Sequence, residues 1–183
     1  MKSWSCLLKG LKVLQRTSGD DVNVHRIQFD SRKVEAGDLF VAERGEVSDG
    51  HNYINAAIAK GAVVVVVEDM PVELNDGVVY LQVENSRQAI GIIARNFYDN
   101  PSSKLKLIGV TGTNGKTTIA TLSYNLFKSL GFRCGLVSTI VNRIGDREVA
   151  TERTTPDSLT LNRLLAEMVD CGCEYVFMEV SSH

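Results

Sequence analysis

No apolar run in the sequence approaches the roughly 18 to 20 residues needed to span a bilayer, and Met1 to Gly10 lacks the long apolar core of a signal peptide. No membrane insertion is expected, and the cytoplasm is the expected compartment. An excess of one charge is missing too, since 20 Lys and Arg stand against 22 Asp and Glu for a formal net charge of −2. Without a basic field, a nucleic-acid partner has no electrostatic support, and any polyanion must be held locally. The cysteines Cys6, Cys134, Cys171 and Cys173 never fall at C-x-x-C spacing, and Cys171-Gly172-Cys173 has no paired histidines nearby. That is a poor zinc site, and all four read as reduced thiols. What remains is ordinary globular composition, 44% hydrophobic and 23% charged, over 183 residues that suffice for one large or two small domains.

Against this plain background, Gly109 to Thr118 stands out as G-V-T-G-T-N-G-K-T-T. Glycines let a backbone approach a polyphosphate, successive N–H groups at a helix start hold negative charge, a lysine reaches the terminal phosphates, and a hydroxyl meets Mg²⁺. Gly112, Gly115, Lys116 and Thr117 supply those groups in order. The spacing departs from G-x-x-x-x-G-K-[ST], because Val110 stands where the first glycine belongs and the glycine falls one place earlier, at Gly109. Context supports the reading: Lys104 to Val110 is strand-like, and Ile119, Leu122, Leu126, Phe127 and Leu130 fall on one face of a following helix.

Upstream, Leu7, Leu8, Leu11 and Leu14 predict an amphipathic helix over Ser3 to Leu14. Strands are expected at Val24 to Phe29, Asp38 to Ala42, Ala62 to Val67 and Val78 to Val83, with one helix ending at Gly61 and another capped by Asn85. Ser31 and Arg32, at a strand end, either cap a turn or present a hydroxyl and a guanidinium to a ligand. His51 at a helix start is either a capping imidazole or a hydrogen-bond partner for a ligand. Asp99 to Ser103, D-N-P-S-S, separates two patterned segments, so domains are expected at 1–98 and 99–183.

Downstream of the loop, Cys134 to Ser138 reads as a strand, and Gly145-Asp146 reads as the turn of a hairpin inserted into the α/β alternation. Thr155 is expected to cap a helix with Pro156 at its first position. Tyr175 to Val180 then forms a strand that delivers Glu179, Ser181, Ser182 and His183 at its carboxyl end, where ligands bind in open α/β sheets. A carboxylate on a buried strand needs a cation or a salt bridge. Mg²⁺ shared with Thr117 is a coherent choice, because such metals take a loop hydroxyl and an acidic residue from a neighbouring strand end.

The whole chain resembles the Mur ligase family, which builds the peptide stem of bacterial cell-wall precursors. The resemblance rests on D-S-R-K-V-x-x-G-D-L-F-V-A (Asp30 to Ala42), D-G-H-N-Y-I (Asp49 to Ile54), T-G-T-N-G-K-T-T, T-T-P-D-S-L (Thr154 to Leu159) and M-E-V-S-S-H (Met178 to His183). The last two are similar to the type that adds the third residue to UDP-N-acetylmuramoyl-L-alanyl-D-glutamate. The resemblance implies an α/β fold, with a small UDP-binding domain followed by an incomplete, mostly parallel P-loop ATPase domain. It also implies ATP and Mg²⁺ as cofactors and diaminopimelate or lysine as the amino acid added. Gly112, Thr113, Asn114, Gly115, Lys116, Thr117 and Thr118 would bind ATP. Thr117 and Glu179 would hold the metal, with Lys116 and Glu179 acting in catalysis. Ser31, His51, Asn52, Thr154, Thr155 and Ser181 would contact the UDP-muramoyl substrate.

Arg153 stands where asparagine is expected in many relatives, so that contact is not carried over. The chain also ends, on this resemblance, inside the ATPase domain, before the adenine-binding residues, a carbamylated lysine and the carboxyl-terminal domain. It is therefore expected not to ligate alone, and Leu161, Leu165 and Met168 are expected to lack part of their cover. A nucleotide- or UDP-sugar-binding fragment without turnover and a folylpolyglutamate-type ligase are the alternatives.

Overall fold

The computed structural model describes residues 1–17, 19–45, 48–151 and 155–181 and consists of two units, Met1–Phe97 and the chain from Tyr98 onward. In the first unit, β1 (Lys2–Ser3) and α1 (Trp4–Leu7) lead to β2 (Val13–Arg16), β3 (Asn23–Val24) and β4 (Ile27–Gln28). After a 3-10 turn at Ser31–Lys33 come β5 (Leu39–Val41), a second 3-10 turn at Gly50–Tyr53, α2 (Ile54–Ala59), β6 (Val64–Val67), β7 (Val79–Val83) and α3 (Ser86–Phe97).

The main sheet runs β2-β7-β6-β5-β4, parallel except for β2 against β7. β6 sits at its centre and is buried at every position, as an uninterrupted valine run requires of a parallel strand covered on both faces. Val65 and Val67 join Phe40, Ile54, Ala57 and Tyr80 in one core cluster. Asn85 Oδ1 accepts from the Gln88 N–H at 2.9 Å and caps α3.

The amino-terminal helix expected over Ser3 to Leu14 is only the single turn Trp4–Leu7. Gly10, at φ +80°, turns the chain, and Val13–Arg16 pairs antiparallel with β7. Leu7 is fully buried while Leu14 is 52% exposed, so the leucine spacing does not describe one buried helical face. The open backbone edge of β7 is satisfied by a strand, an interaction with no local signature. The strand expected over Val24 to Phe29 is likewise split, β3 pairing with β1 and β4 with β5.

The second unit starts with a 3-10 turn at Pro101–Lys104 and β8 (Lys106–Val110), and continues with α4 (Lys116–Ser129), β9 (Cys134–Val137), β10 (Asn142–Ile144), β11 (Arg147–Val149), α5 (Ser158–Asp170) and β12 (Tyr175–Glu179). Its sheet runs β11-β10-β9-β12-β8. β12 is parallel to both β8 and β9, and the β10–β11 hairpin adds on antiparallel. One layer buries Ala120 and Tyr124 of α4 with Leu136 and Phe177. A second buries Leu164, Leu165 and Met168 of α5 with Val137, Val176 and Met178.

Of the apolar face read on α4, Ile119, Leu122 and Leu126, with Leu130 just past the helix, are 53 to 63% exposed, and the helix docks through Phe127 together with Ala120 and Tyr124. The small Ala120 allows close approach to the sheet, Tyr124 donates its hydroxyl to Gly145 O at 2.8 Å, and the Phe127 ring packs tilted against Tyr175 at 4.7 Å and edge-on against Phe177 at 5.2 Å between centroids. In α5, Leu165 and Met168 are covered, and Leu161 packs against the same cluster. That helix starts at Ser158, with Asp157 and not Thr155 as its cap, because Asp157 Oδ1 accepts from the Thr160 N–H at 2.9 Å.

Candidate phosphate and metal site

At the carboxyl end of β8 the chain leaves the sheet through an exposed loop and enters α4. Gly115 lies at φ +80° and caps the helix, a left-handed conformation that disfavours a side chain. Gly112 lies at φ +148° with only Asn114 O, at 3.7 Å, near where a Cβ would sit, so backbone conformation and not space selects glycine. The first helical bond runs from Ile119 N to Gly115 O. The N–H groups of Lys116, Thr117 and Thr118 therefore have no intrahelical acceptor and point, with the positive end of the helix dipole, toward the loop formed by Gly112, Thr113 and Asn114. Lys116 Nζ folds back onto Gly112 O at 2.7 Å.

Glu179 closes the site from β12. Only 1% exposed, its carboxylate accepts from Thr117 Oγ1 on Oε2 at 2.9 Å, from the Thr139 N–H on Oε1 at 3.0 Å, and from Thr139 Oγ1 on Oε2 at 3.0 Å. Among the described residues, no Lys, Arg or His forms an ion pair with it. The salt-bridge alternative thus has no partner there. A buried carboxylate held by neutral donors beside a loop hydroxyl is the donor set Mg²⁺ takes, one carboxylate plus a hydroxyl with the rest from phosphate and water. The residues fit the ion.

Thr139 is the residue that sequence reasoning missed. Its signal lay in topology: β12 and β9 are parallel neighbours with Met178 opposite Val137, so the chain just past Val137 arrives beside Glu179.

Thr155, released from a capping role, meets Ser181 past the end of β12. Ser181 N–H donates to Thr155 Oγ1 at 2.9 Å, and Thr155 Oγ1 donates to Ser181 Oγ at 3.0 Å. Two expected substrate residues, distant in sequence, are thereby brought together. Thr154, Ser182 and His183 lie outside the described residues.

In the first unit, Asp30 caps the Ser31–Lys33 turn and takes the Arg32 guanidinium through two contacts of 2.9 Å. Those contacts hold the Asp30 carboxyl below its ordinary range and tie the Arg32 guanidinium to the residue that caps the turn, whereas the Ser31 hydroxyl makes no hydrogen bond to a described residue. His51 is engaged at both ring nitrogens: Nδ1 lies 2.6 Å from Asp49 Oδ1, and Nε2 accepts from the Glu68 N–H at 2.9 Å. It ties a loop to a strand end. Asn52, beside it, is exposed and lines a cleft of about 740 Å³ together with Arg44, Asn55 and Asp69.

Known proteins share both units of this chain. Residues 23–98 match the profile described as Mur ligase family, catalytic domain, and residues 110–183 that described as Mur ligase middle domain. The UDP-N-acetylmuramoyl-L-alanyl-D-glutamate--2,6-diaminopimelate ligase of Bacteroides fragilis is 54% identical over 177 residues, 97% of this chain and 36% of that protein. A solved structure of a ligase with the same name aligns with a TM-score of 0.73 and 32% identity, covering 87% of this chain and 32% of the other. The MurF ligase of Thermotoga maritima in complex with ADP aligns at a TM-score of 0.59 and 26% identity over 89% of this chain and 33% of its own. The chain spans 36 to 37% of the length of curated relatives that are 54 to 55% identical to it.

Proposed function

Because this chain belongs to the Mur ligase family, we propose that it carries the ATP-binding loop and the UDP-substrate contacts of a cytoplasmic ligase that adds a diamino acid to UDP-N-acetylmuramoyl-L-alanyl-D-glutamate. The relatives are named for 2,6-diaminopimelate, which makes it the amino acid to test first, with L-lysine as competitor. One observation carries the reading: Thr117, at the start of the phosphate loop's helix, touches a carboxylate, Glu179, that is buried and surrounded only by neutral donors.

The reaction is ATP-driven amide formation, in which the substrate carboxylate attacks the γ-phosphate to give an acyl phosphate and ADP, and the amine then displaces phosphate. Lys116 leaves Gly112 O for the phosphates and draws negative charge from the transferred oxygens, while the N–H groups of Lys116, Thr117 and Thr118 bind the polyphosphate. Mg²⁺, held by Thr117 and Glu179, would supply the remaining charge neutralisation. Thr154, Thr155 and Ser181 hold the carboxylate-bearing arm in line, a contribution of position and not of chemistry. Ser31 and Asn52 are assigned to the UDP end. His51 supports them by fixing the loop, since its ring nitrogens are already engaged. Residues 1–98 are the UDP-binding domain and 99–183 the first part of the ATPase domain in this reading.

The test is Mg-ATP titration of the chain and its Lys116→Ala variant by calorimetry. Loss of a charge-assisted contact is expected to weaken binding by about 1.5 to 3 kcal/mol, roughly tenfold to a hundredfold. Equal affinity in the two proteins removes Lys116 from the phosphates and the reading with it.

A further inference from the structure

The connection between β9 and β10 carries buried polar groups that no step of the proposed reaction uses. Ser138 is 1% and Asn142 3% exposed. Asn142 Oδ1 accepts from the Ser138 N–H at 3.2 Å, Ser138 Oγ donates to Val141 O at 2.8 Å, and the Val141 N–H returns to Ser138 Oγ at 3.3 Å. Burial of such groups is costly unless they are paired, and here they pair with one another to fix a short turn. That turn's one exposed member pointing toward the site is Thr139, which gives Glu179 both its N–H and its hydroxyl.

We propose that Thr139, held by Ser138 and Asn142, is a positioning residue that fixes the Glu179 carboxylate for a divalent cation bound with nucleotide at the loop. The inference rests on reading the loop as a metal–nucleotide site. Contacts to both oxygens set the plane of the carboxylate, and once the Thr117 hydroxyl turns to the cation, the Thr139 hydroxyl is the donor left on Oε2 to complement the Thr139 N–H on Oε1. The hydroxyls of Thr117 and Thr139 both converge on Oε2, whereas the Thr139 N–H alone reaches Oε1. A carboxylate offers about four acceptor sites, so Oε1 retains one for the cation. Neutral donors also leave the negative charge intact, where a lysine or arginine in place of Thr139 would cancel the attraction the cation needs. The antiparallel hairpin inserted after β9 thereby gains a purpose at the site: it anchors the turn that aims Thr139.

The experiment measures Mn²⁺ binding to the chain by electron paramagnetic resonance in the presence of ADP, which requires no turnover, and ADP binding in excess chelator. Thr139→Val keeps the backbone N–H and the side-chain shape but removes the hydroxyl; Thr139→Ser restores it. Loss of a group that orients a metal ligand is expected to weaken Mn²⁺ binding by about 10- to 100-fold in Thr139→Val, with Thr139→Ser at the parental affinity and metal-free ADP binding the same in all three. Parental Mn²⁺ affinity in Thr139→Val overturns the inference alone, as does an equal loss in Thr139→Ser. A parent chain that binds no Mn²⁺ with ADP overturns the nucleotide-site reading and this inference together.

Discussion

Glu68 illustrates how a single residue can organise a strand end. Its Oε1 accepts from the N–H of Ser86 at 2.8 Å and from Ser86 Oγ at 2.7 Å, Arg44 lies 3.6 Å from Oε2, and its own N–H is donated to His51. Burial pushes the Glu68 carboxyl up, but the two Ser86 contacts and the charge of Arg44 outweigh it, and the group lies below the ordinary glutamate value of 4.5. A carboxyl depressed in the folded state contributes stability above its unfolded pKa, and that contribution is lost as pH falls through the folded value. Glu68→Gln is therefore expected to flatten the acid limb of stability below about pH 4.5, the ordinary glutamate value, read from denaturation midpoints against pH. An unchanged acid limb would show that the carboxylate charge contributes nothing there.

At the scale of the element, α5 separates two roles that the sequence superimposes on T-T-P-D. Asp157 caps the helix through the N–H and hydroxyl of Thr160, at 2.9 and 2.8 Å, and Thr155 pairs with Ser181 at the end of β12. Asp157→Ala is expected to lower stability by about 0.5 to 2 kcal/mol, the usual loss for a cap. Thr155→Ala leaves the helix start intact and should instead weaken binding of the UDP-muramoyl dipeptide. Urea denaturation of both variants, paired with substrate titration, distinguishes them: a larger stability loss for Thr155→Ala than for Asp157→Ala would return the cap to Thr155. Binding in the second assay depends on the proposed substrate role, whereas the first depends on geometry alone.

At the scale of the whole molecule, the second unit exposes apolar side chains on α4 and on β8. Ile119, Leu122, Leu126 and Leu130 line α4, and β8, which α4 touches, exposes Leu107 at 40% and Ile108 at 37%. β8 pairs only with β12 among the described residues, so its other edge offers unpaired backbone groups beside that stripe. Exposed apolar side chains along a helix beside an unpaired strand edge favour association. The chain is expected to self-associate with rising concentration, and Leu122→Glu with Leu126→Glu to suppress this in sedimentation velocity without lowering the thermal midpoint. A monomeric parent at all concentrations would contradict the expectation. Within the packed layers, by contrast, α5 leaves no such stripe, since Leu164, Leu165 and Met168 are at most 2% exposed.

The glycine loop that opens α4, the turn at Gly145-Asp146, the valine strand and the α/β alternation were legible in the sequence because each rests on forces acting over a few residues: glycine conformations, helix-start N–H groups and hydrophobic periodicity. Periodicity also located α4, but its apolar residues span too wide an arc to say which stripe meets the sheet. Docking through Ala120, Tyr124 and Phe127 was decided by the shape of β9 and β12. Val13–Arg16 became a strand for a similar reason, since the demand for a partner lay on β7 and not in its own residues. Glu179 could be singled out from its place on a buried strand, whereas Thr139, 40 residues away in sequence, and the contact to Thr117, 62 residues away, depend on the parallel register that brings three strand ends together. Sequence determined which groups could bind a phosphate or a cation. Tertiary structure alone decided which of them meet, because hydrogen bonds between chain-distant atoms exist only once the sheet has set their register.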